Sequence, residues 1–235
     1  MSDTILRLTF FLSILIILIM AEILLPKKKR IHNRKDRWIT NGLITLINTA
    51  SVNIVHIAIP LIAIVAAVDV SNGKMGLFNI INFPIWIEII LTVIILDFII
   101  WGQHLLSHKI PFVWRFHRMH HTDRDLDVTT AVRFHPFEII FSMFIKITAI
   151  YILGASAIAV IIFEIMLNGM AMFNHANLRI PLRIENILRK FIVTPDLHRI
   201  HHSIYIDEHN KNFGFSLSIW DKIFKCYLDQ PRDGH

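Results

Sequence analysis

Eight histidines stand in three short groups: His104-Leu-Leu-Ser-His108, His117-Arg-Met-His120-His121 and His198-Arg-Ile-His201-His202. Spacings of three and four residues put the rings of each group on one face of a helix, with Cβ atoms about 5–6 Å apart. Between the second and third groups lie Arg133-Phe-His135-Pro-Phe-Glu138 and Asn174-His175-Ala-Asn177. A lone histidine in such a place is ordinarily a satisfied polar residue at a helix end. Eight together are another matter, because many imidazoles packed at one depth are costly when unpaired and worse when charged. A bound cation removes that cost, since neutral imidazole is a good ligand for Fe, Zn, Cu and Ni. Eight nitrogens exceed the four ligands of one tetrahedral zinc and suit two metal ions. Axial haem ligation needs only one or two histidines per haem. A zinc hydrolase of the HExxH type needs a glutamate base inside its motif, and no such motif is present.

The elements that must position these groups are apolar. Of 235 residues, 54% are hydrophobic and 18% charged, against about 45–50% and about 25% in soluble domains. The mean hydropathy is +0.54. A single soluble domain of this length could not hide so much apolar surface. The composition excludes disorder and a disulfide scaffold, and Cys226, the one cysteine, excludes a thiolate cluster. The expected fold class is all-α: a polytopic membrane protein with about four to five transmembrane helices and a helical cap carrying the histidines. The first span covers residues 4–25, interrupted by Arg7 and Glu22. A cleaved signal would want a basic start, a shorter core and a small-residue cleavage site. This chain starts Met-Ser-Asp-Thr and its run ends in Pro26-Lys-Lys-Lys, so a retained anchor is expected. A second stretch, 39–70, spans with a tilt or bends near Pro60, and Asp69–Lys74 reads as a turn. A third covers 83–106. Residues 137–172, broken at Gly154, form a helical hairpin.

The net charge of +6 does not point to nucleic acid. Lys27, Lys28, Lys29, Arg30, Arg34, Lys35 and Arg37 follow the first apolar run directly, the pattern of a topology and lipid-headgroup signal. The loop at 26–40 carries seven positives and the loop at 69–80 one. This places 26–40 in the cytoplasm, together with 107–136 and 177–235, so every dense histidine group falls on one face of the membrane.

His104-Leu-Leu-Ser-His108, His117-Arg-Met-His-His121 and His198-Arg-Ile-His-His202 resemble, in order, the three histidine boxes of the fatty acid hydroxylase superfamily, also called the sterol desaturase family. The resemblance extends to Arg133–Glu138, Phe173-Asn-His-Ala-Asn177, Val193-Thr-Pro-Asp-Leu-His198 and Asn212–Phe224, and covers roughly residues 85–228. Around the last box it is strongest to bacterial members and to alkylglycerol monooxygenase-like proteins. It implies N-terminal transmembrane helices over 1–80 and a hydroxylase-type domain over 81–235. It also implies a di-iron, all-histidine site that activates O2 to oxidise a lipid C–H bond, with zinc able to substitute for iron. The ligands it implies are His104, His108, His117, His120, His121, His198, His201 and His202, with His175 as a ninth. Where some relatives carry a further histidine this chain has Arg179, and where relatives often carry arginine in the first box it has Leu105.

Each ligating ring needs an acceptor for its second N–H. Asp97, seven residues before His104 on the same helix face, Glu138, Glu164, Asp196 and Asp221 are the candidates. Glu164 forms a polar stripe with Asn168 and His175 and is expected to face the site. His135 is expected at its rim, and Lys146 at a headgroup or outside the apolar depth. Phe112, Trp114, Phe116, Phe134, Phe137, Phe173, Phe213, Phe215 and Trp220 are candidate walls of a lipid path, or core and belt residues. With no glycine-rich dinucleotide fingerprint and no cysteine cluster, electrons must come from a separate reductase or small carrier. Arg115, Arg118, Arg124, Arg189 and Lys190 offer it a basic face. Ether-lipid cleavage and a non-catalytic membrane metal-binding protein are the alternatives.

Overall fold

The computed structural model describes residues 3–58 and 62–233. Twelve α-helices are found among them, and the only β pairings there are two isolated bridges. Helix α1 is Asp3–Leu24, α2 Arg34–Ala58, α3 Ala63–Gly73, α4 Leu77–Ile81 and α5 Ile85–Lys109. After α6 (Pro111–His121) and a 3₁₀ turn (Val128–Val132) come α7 (Pro136–Leu153) and α8 (Ala157–His175). The tail holds four short helices: α9 (Leu182–Leu188), α10 (Pro195–His201), α11 (Ile206–His209) and α12 (Ile219–Ile223). Five segments are long and apolar enough to cross a membrane: Thr4–Leu24, Ala63–Ile81, Ile85–Lys109, Pro136–Leu153 and Ala157–His175. The protein is an all-helical, multi-pass membrane protein with a histidine-bearing helical cap.

The bundle packs through small residues. Ala63, Ala66, Ala67 and Val70 are buried along one side of α3, which lets that helix approach its neighbours closely. The three alanines join Phe78, Leu96, Ile100, Ile150 and Phe163 in one core. Leu18 of α1 packs with Ala171 and Met172 of α8 and with Val128 beneath the cap. Outward residues such as Ile16, Ile17 and Leu24 stay exposed, as a lipid-facing surface requires. The α7–α8 hairpin turns at Gly154, as expected. Gly154 adopts φ 74°, and a Cβ on facing Gly76 would lie 2.3 Å from its backbone nitrogen.

The second apolar stretch departs from expectation. It is split into α2 and α3, and α2 is not among the candidate spans. Its polar residues explain why. Arg37, Asn41 and Asn48 recur on one face and bind the cap: Arg37 pairs with Asp123 and Asp127, Asn41 donates to Thr129, and Asn48 donates to the Phe134 carbonyl. The expected bend at Pro60 lies outside the described residues. Asp69–Gly73 is helical rather than a turn, and the chain reverses from Lys74, which sits in the left-handed region.

Three of the seven cations in the basic run make internal ion pairs. Lys27 pairs with Asp196 (2.7 Å), Arg30 with Glu22 (3.1 Å) and Arg37 with Asp123 (2.7 Å) and Asp127 (2.6 Å). Burial opposes ionisation of Asp123, yet the Arg37 guanidinium holds its carboxyl below the usual range. Glu22, 1% exposed near the end of α1, accepts the backbone N–H groups of Val128 (2.8 Å) and Asn177 (2.7 Å). Glu22→Ala leaves those donors and Arg30 without their acceptor. It should lower stability by about 3 kcal/mol, read as an earlier thermal unfolding transition in detergent.

Candidate metal centre

The histidines converge from four helices at one end of the bundle. α5 brings His104 and His108, α6 brings His117, His120 and His121, α8 ends on His175, and α10 carries His198 and His201 with His202 just beyond it. Two of these helices start on proline at the first helical position, which needs no backbone donor: Pro111 opens α6 and Pro195 opens α10. Thr194 caps α10 by accepting the Leu197 N–H.

The nine histidines named from the sequence fall into two groups. His104, His108, His117, His121 and His201 form one, and His120, His175, His198 and His202 the other. Within each group one nitrogen from every ring lies within 4.8 Å of all the rest. The HxxHH boxes are therefore each divided between the groups.

Outward hydrogen bonds fix several rings. The Nδ1–H of His104 donates to the Phe213 carbonyl (2.7 Å), of His175 to Ala171 (2.6 Å), of His201 to Lys211 (2.7 Å) and of His120 to Arg133 (3.2 Å). His117 donates through Nδ1 to Glu138 Oε1 at 2.7 Å. The Nε2 lone pairs are thereby turned inward. Nε2 atoms then face each other at 3.1 Å (His104–His117), 3.2 Å (His117–His121), 3.0 Å (His120–His175) and 3.0 Å (His175–His198). In the His120–His175 pair both Nδ1–H groups are spent on backbone carbonyls, so in the neutral rings neither Nε2 has a proton to share and the contact is one between lone pairs. Metal–nitrogen bonds of about 2.0–2.1 Å give nitrogen–nitrogen edges of about 2.8–3.4 Å for octahedral to tetrahedral ligation. Each contact joins two rings of the same group, two contacts in each, and all lie inside that interval. Both ring nitrogens of His108 and His202, Nδ1 of His198 and Nε2 of His201 are buried without a hydrogen-bond partner. The residues fit a pair of cations held by neutral imidazoles.

Burial disfavours the charged form of five of the cap histidines. Burial, and then the charge each ring would place on its neighbours, holds His120, His121, His198 and His202 well below the usual imidazole range. Burial likewise lowers His201. Aromatic rings close around the groups: Phe134 stacks on His120 (4.5 Å), Trp114 lies over His108 (4.8 Å), and Phe213 and Phe215 pack against His104. The other expected path residues lie elsewhere. Phe112, Phe116 and Phe137 cluster beside His135, Trp220 packs on Phe98, and Phe173 joins the α1–α8 core.

The carboxylates need correction. Of the five proposed to orient rings, Glu138 contacts one directly. Glu164 is bound by Lys146 (2.9 Å) and Arg7 rather than by a histidine. Asn168 donates to its own helix at the Glu164 carbonyl. Asp97 accepts from Trp220 Nε1 (2.9 Å) and the Leu217 N–H (3.3 Å). It lashes the tail to α5 rather than touching His104. Asp221 accepts from Trp101 and from the backbone of Phe213 and Gly214, and so sets the carbonyl that fixes His104. Asp196 pairs with Lys27 and Arg199. His135 caps α7, its Nδ1 accepting the Phe137 N–H, and stays outside both groups. Arg189 is buried against Glu185 and offers no docking face.

The sequence reading missed His209, which stacks on Trp114 at 5.4 Å and lies 5.8 Å from His108. It belongs to no spaced box. It also missed the internal role of Glu22, although an ionisable residue inside an apolar span is itself a signal. Removing a ring's hydrogen-bond acceptor typically weakens metal affinity about 10–100-fold. Glu138→Ala should therefore lose metal to a chelator that leaves the His56→Ala protein loaded, as measured by metal analysis after dialysis.

The sequence profile of the fatty acid hydroxylase family matches residues 89–226, more than half of the chain. The chain is 27% identical over 225 residues to the ornithine lipid hydroxylase OlsE of Rhizobium tropici, covering 94% of this chain and 67% of that protein. It is 28% identical over 143 residues to alkylglycerol monooxygenase of Xenopus tropicalis (60% of this chain, 30% of that one). It is 23% identical over 129 residues to human cholesterol 25-hydroxylase (54% and 46%). The chain thus spans about two thirds of the rhizobial protein and less than half of the other two. No solved structure matches it significantly. The ordered histidine boxes, the helices that bring them together and the profile match agree: the chain belongs to the fatty acid hydroxylase family.

Proposed function

We propose that this protein is a membrane oxygenase that uses O2 to oxidise a C–H bond of a lipid, with two iron ions held by nine histidines. The observation that carries the reading is the sorting of those rings into two groups with inward-facing, unprotonated nitrogens. His104, His108, His117, His121 and His201 would hold one ion, and His120, His175, His198 and His202 the other. Bound there, the metal pair supplies the redox chemistry that O2 activation and cleavage of an unactivated C–H bond require. The protein's own groups do the rest. Glu138 and the carbonyls of Phe213, Arg133, Ala171 and Lys211 hold the rings in one tautomer and direction. Trp114, Phe134, Phe213 and Phe215 keep bulk water from the rings. Neutral ligands leave the buried charge to the ions.

Support for a lipid substrate comes from the site's position, at the ends of α5 and α8 and the start of α7, and from relatives named as lipid hydroxylases and monooxygenases. An ornithine lipid or another polar lipid is the substrate class favoured by the rhizobial relative, whose similarity runs through 94% of this chain. Ether-lipid cleavage is the second reading, favoured by the alkylglycerol monooxygenase similarity. Inserting one oxygen atom and releasing the other as water consumes two electrons, so a separate reductase or small carrier is required. Arg115, Arg118, Arg124 and Lys190 are exposed and could meet it. The excess of positive charge after α1 orients the cap towards the cytoplasm. We retain a division into helices over 1–80 and a hydroxylase domain over 81–235.

The test is oxygen incorporation. Protein in lipid nanodiscs, supplied with electrons and ¹⁸O2, should yield a lipid product carrying the label. His120→Ala should reduce that product by at least about a thousandfold, while His56→Ala should not. An unlabelled lipid pool with tightly bound zinc and no redox activity would instead identify a non-catalytic metal-binding protein.

A further inference from the structure

The tail of the cap turns apolar side chains outward. Ile184, Ile187 and Phe191 follow one another at helical spacing on α9 and just beyond it, and Ile223 and Phe224 stand at the end of α12. Each is at least half exposed, from Ile184 at 50% to Phe191 at 65%. Single apolar residues on a surface need no explanation, whereas a group of large ones marks an interaction site. Here the two segments that carry them are bonded side by side. The Ser218 N–H donates to the Phe191 carbonyl (3.1 Å) and the Ser218 hydroxyl to the Arg189 carbonyl (2.9 Å). The Lys222 ammonium donates to the carbonyls of Arg189 (3.1 Å) and Lys190 (2.6 Å).

This unit sits against a membrane span. Trp220 Nε1 donates to Asp97 of α5 (2.9 Å), and Phe224 stacks on Trp101 (4.5 Å between ring centroids) and on Phe98 (5.9 Å). Ile223 and Phe224 line an apolar groove with Ile94, Ile95 and Phe98. Ile94 and Phe98 precede His104 by about 15 and 9 Å along the helix axis, at 1.5 Å per residue. They lie inside the apolar run of a segment long enough to cross a bilayer, and both are exposed. The outward side of α12 is thus continuous with the lipid-facing side of α5, at a depth where acyl chains surround that span. The charges fit the same surroundings. Within 182–191 and 219–225 the exposed charged residues are Arg183, Lys190 and Lys225, all basic, whereas the acids Glu185 and Asp221 are buried. Apolar and aromatic side chains beside basic ones are the pattern of helices lying in a membrane interface.

We infer that α9 and α12 form a membrane-seated face of the cap. It does not cross the bilayer but lies in the leaflet nearer the metal centre, with lipid acyl chains against Ile187, Phe191, Ile223 and Phe224. The cap is then held to the membrane at its tail as well as through the spans. The seated face also adjoins the support of the metal centre: Asp221 of α12 accepts the Phe213 N–H, and the Phe213 carbonyl accepts from His104. This seating does not depend on the oxygenase reading.

The experiment is quenching of a fluorescent label on the metal-loaded full chain in phospholipid nanodiscs. Cys226, the one cysteine, is buried, and C226A removes it as a labelling site. I187C, I223C and I204C, each made in that background, then carry the label singly. Ile204 is also exposed (87%) but lines a cleft among charged residues such as Lys28, Arg124 and Glu208, and it serves as the aqueous reference. Nitroxide-chain lipid should quench the labels at 187 and 223 at least about threefold more than the label at 204, and acrylamide should quench them less. Labels at 187 and 223 that behave like the one at 204 overturn the inference. So do labels shielded from both quenchers, which would mark a second copy or another protein on the face. A lipid-confined diazirine applied to the unsubstituted protein gives the same reading if C226A loses its metal. Its adducts should fall on 182–191 and 219–225 and spare 203–209, and the reverse pattern overturns the seating.

Discussion

Unprotonated imidazole nitrogens turned towards each other inside a buried space repel unless something positive lies between them. Here that arrangement is imposed from outside. Each anchored Nδ1–H is spent on a carbonyl or on Glu138, so the facing Nε2 atoms have nothing to donate. Burial and crowding also disfavour protonation of His120, His198 and His202. Bound cations would satisfy that arrangement, which α5, α6, α8 and α10 build together.

Keeping four helices in that register falls to ion pairs and clamps at the bundle's end. Glu22 joins α1 to the 3₁₀ turn and to the end of α8, Lys27 joins it to α10, and Arg37 joins α2 to the loop after α6. Asp97 and Asp221 tie the tail back to α5. Most of these charges are nearly inaccessible to solvent. Such pairs are weak sources of net stability but strongly penalise a partner's loss, which suits a frame whose task is to fix geometry. The N-terminal helices thus serve the centre even though they contribute no ligand to it.

The convergence of the histidine boxes was legible in the sequence because their residues and order are distinctive, whereas the division of each HxxHH box between two groups was not, since spacing alone puts its rings on one helix face. The α7–α8 hairpin was legible through Gly154. The path of α2 was not: its apolar residues read as a span, whereas Arg37, Asn41 and Asn48 find partners more than eighty residues away. The roles of Glu164 and Asp97 were misread for the same reason. Helix face predicts direction, but the carboxylate goes to whichever cation or N–H reaches it first in three dimensions, here Lys146 and Arg7 for one and Trp220 for the other. The basic run after α1 read as a headgroup signal, and three of its seven cations, Lys27, Arg30 and Arg37, are internal partners.

The central claim, two separate all-histidine groups each holding one ion, is tested most directly by metal stoichiometry in variants confined to one group. Iron per chain, counted after anaerobic reconstitution and desalting, should be about two in the wild type. It should fall to about one in His201→Ala, from the five-ring group, and to about one in His198→Ala, from the four-ring group. A wild type that binds a single ion, or a pair of variants that both keep the full complement, would contradict the account.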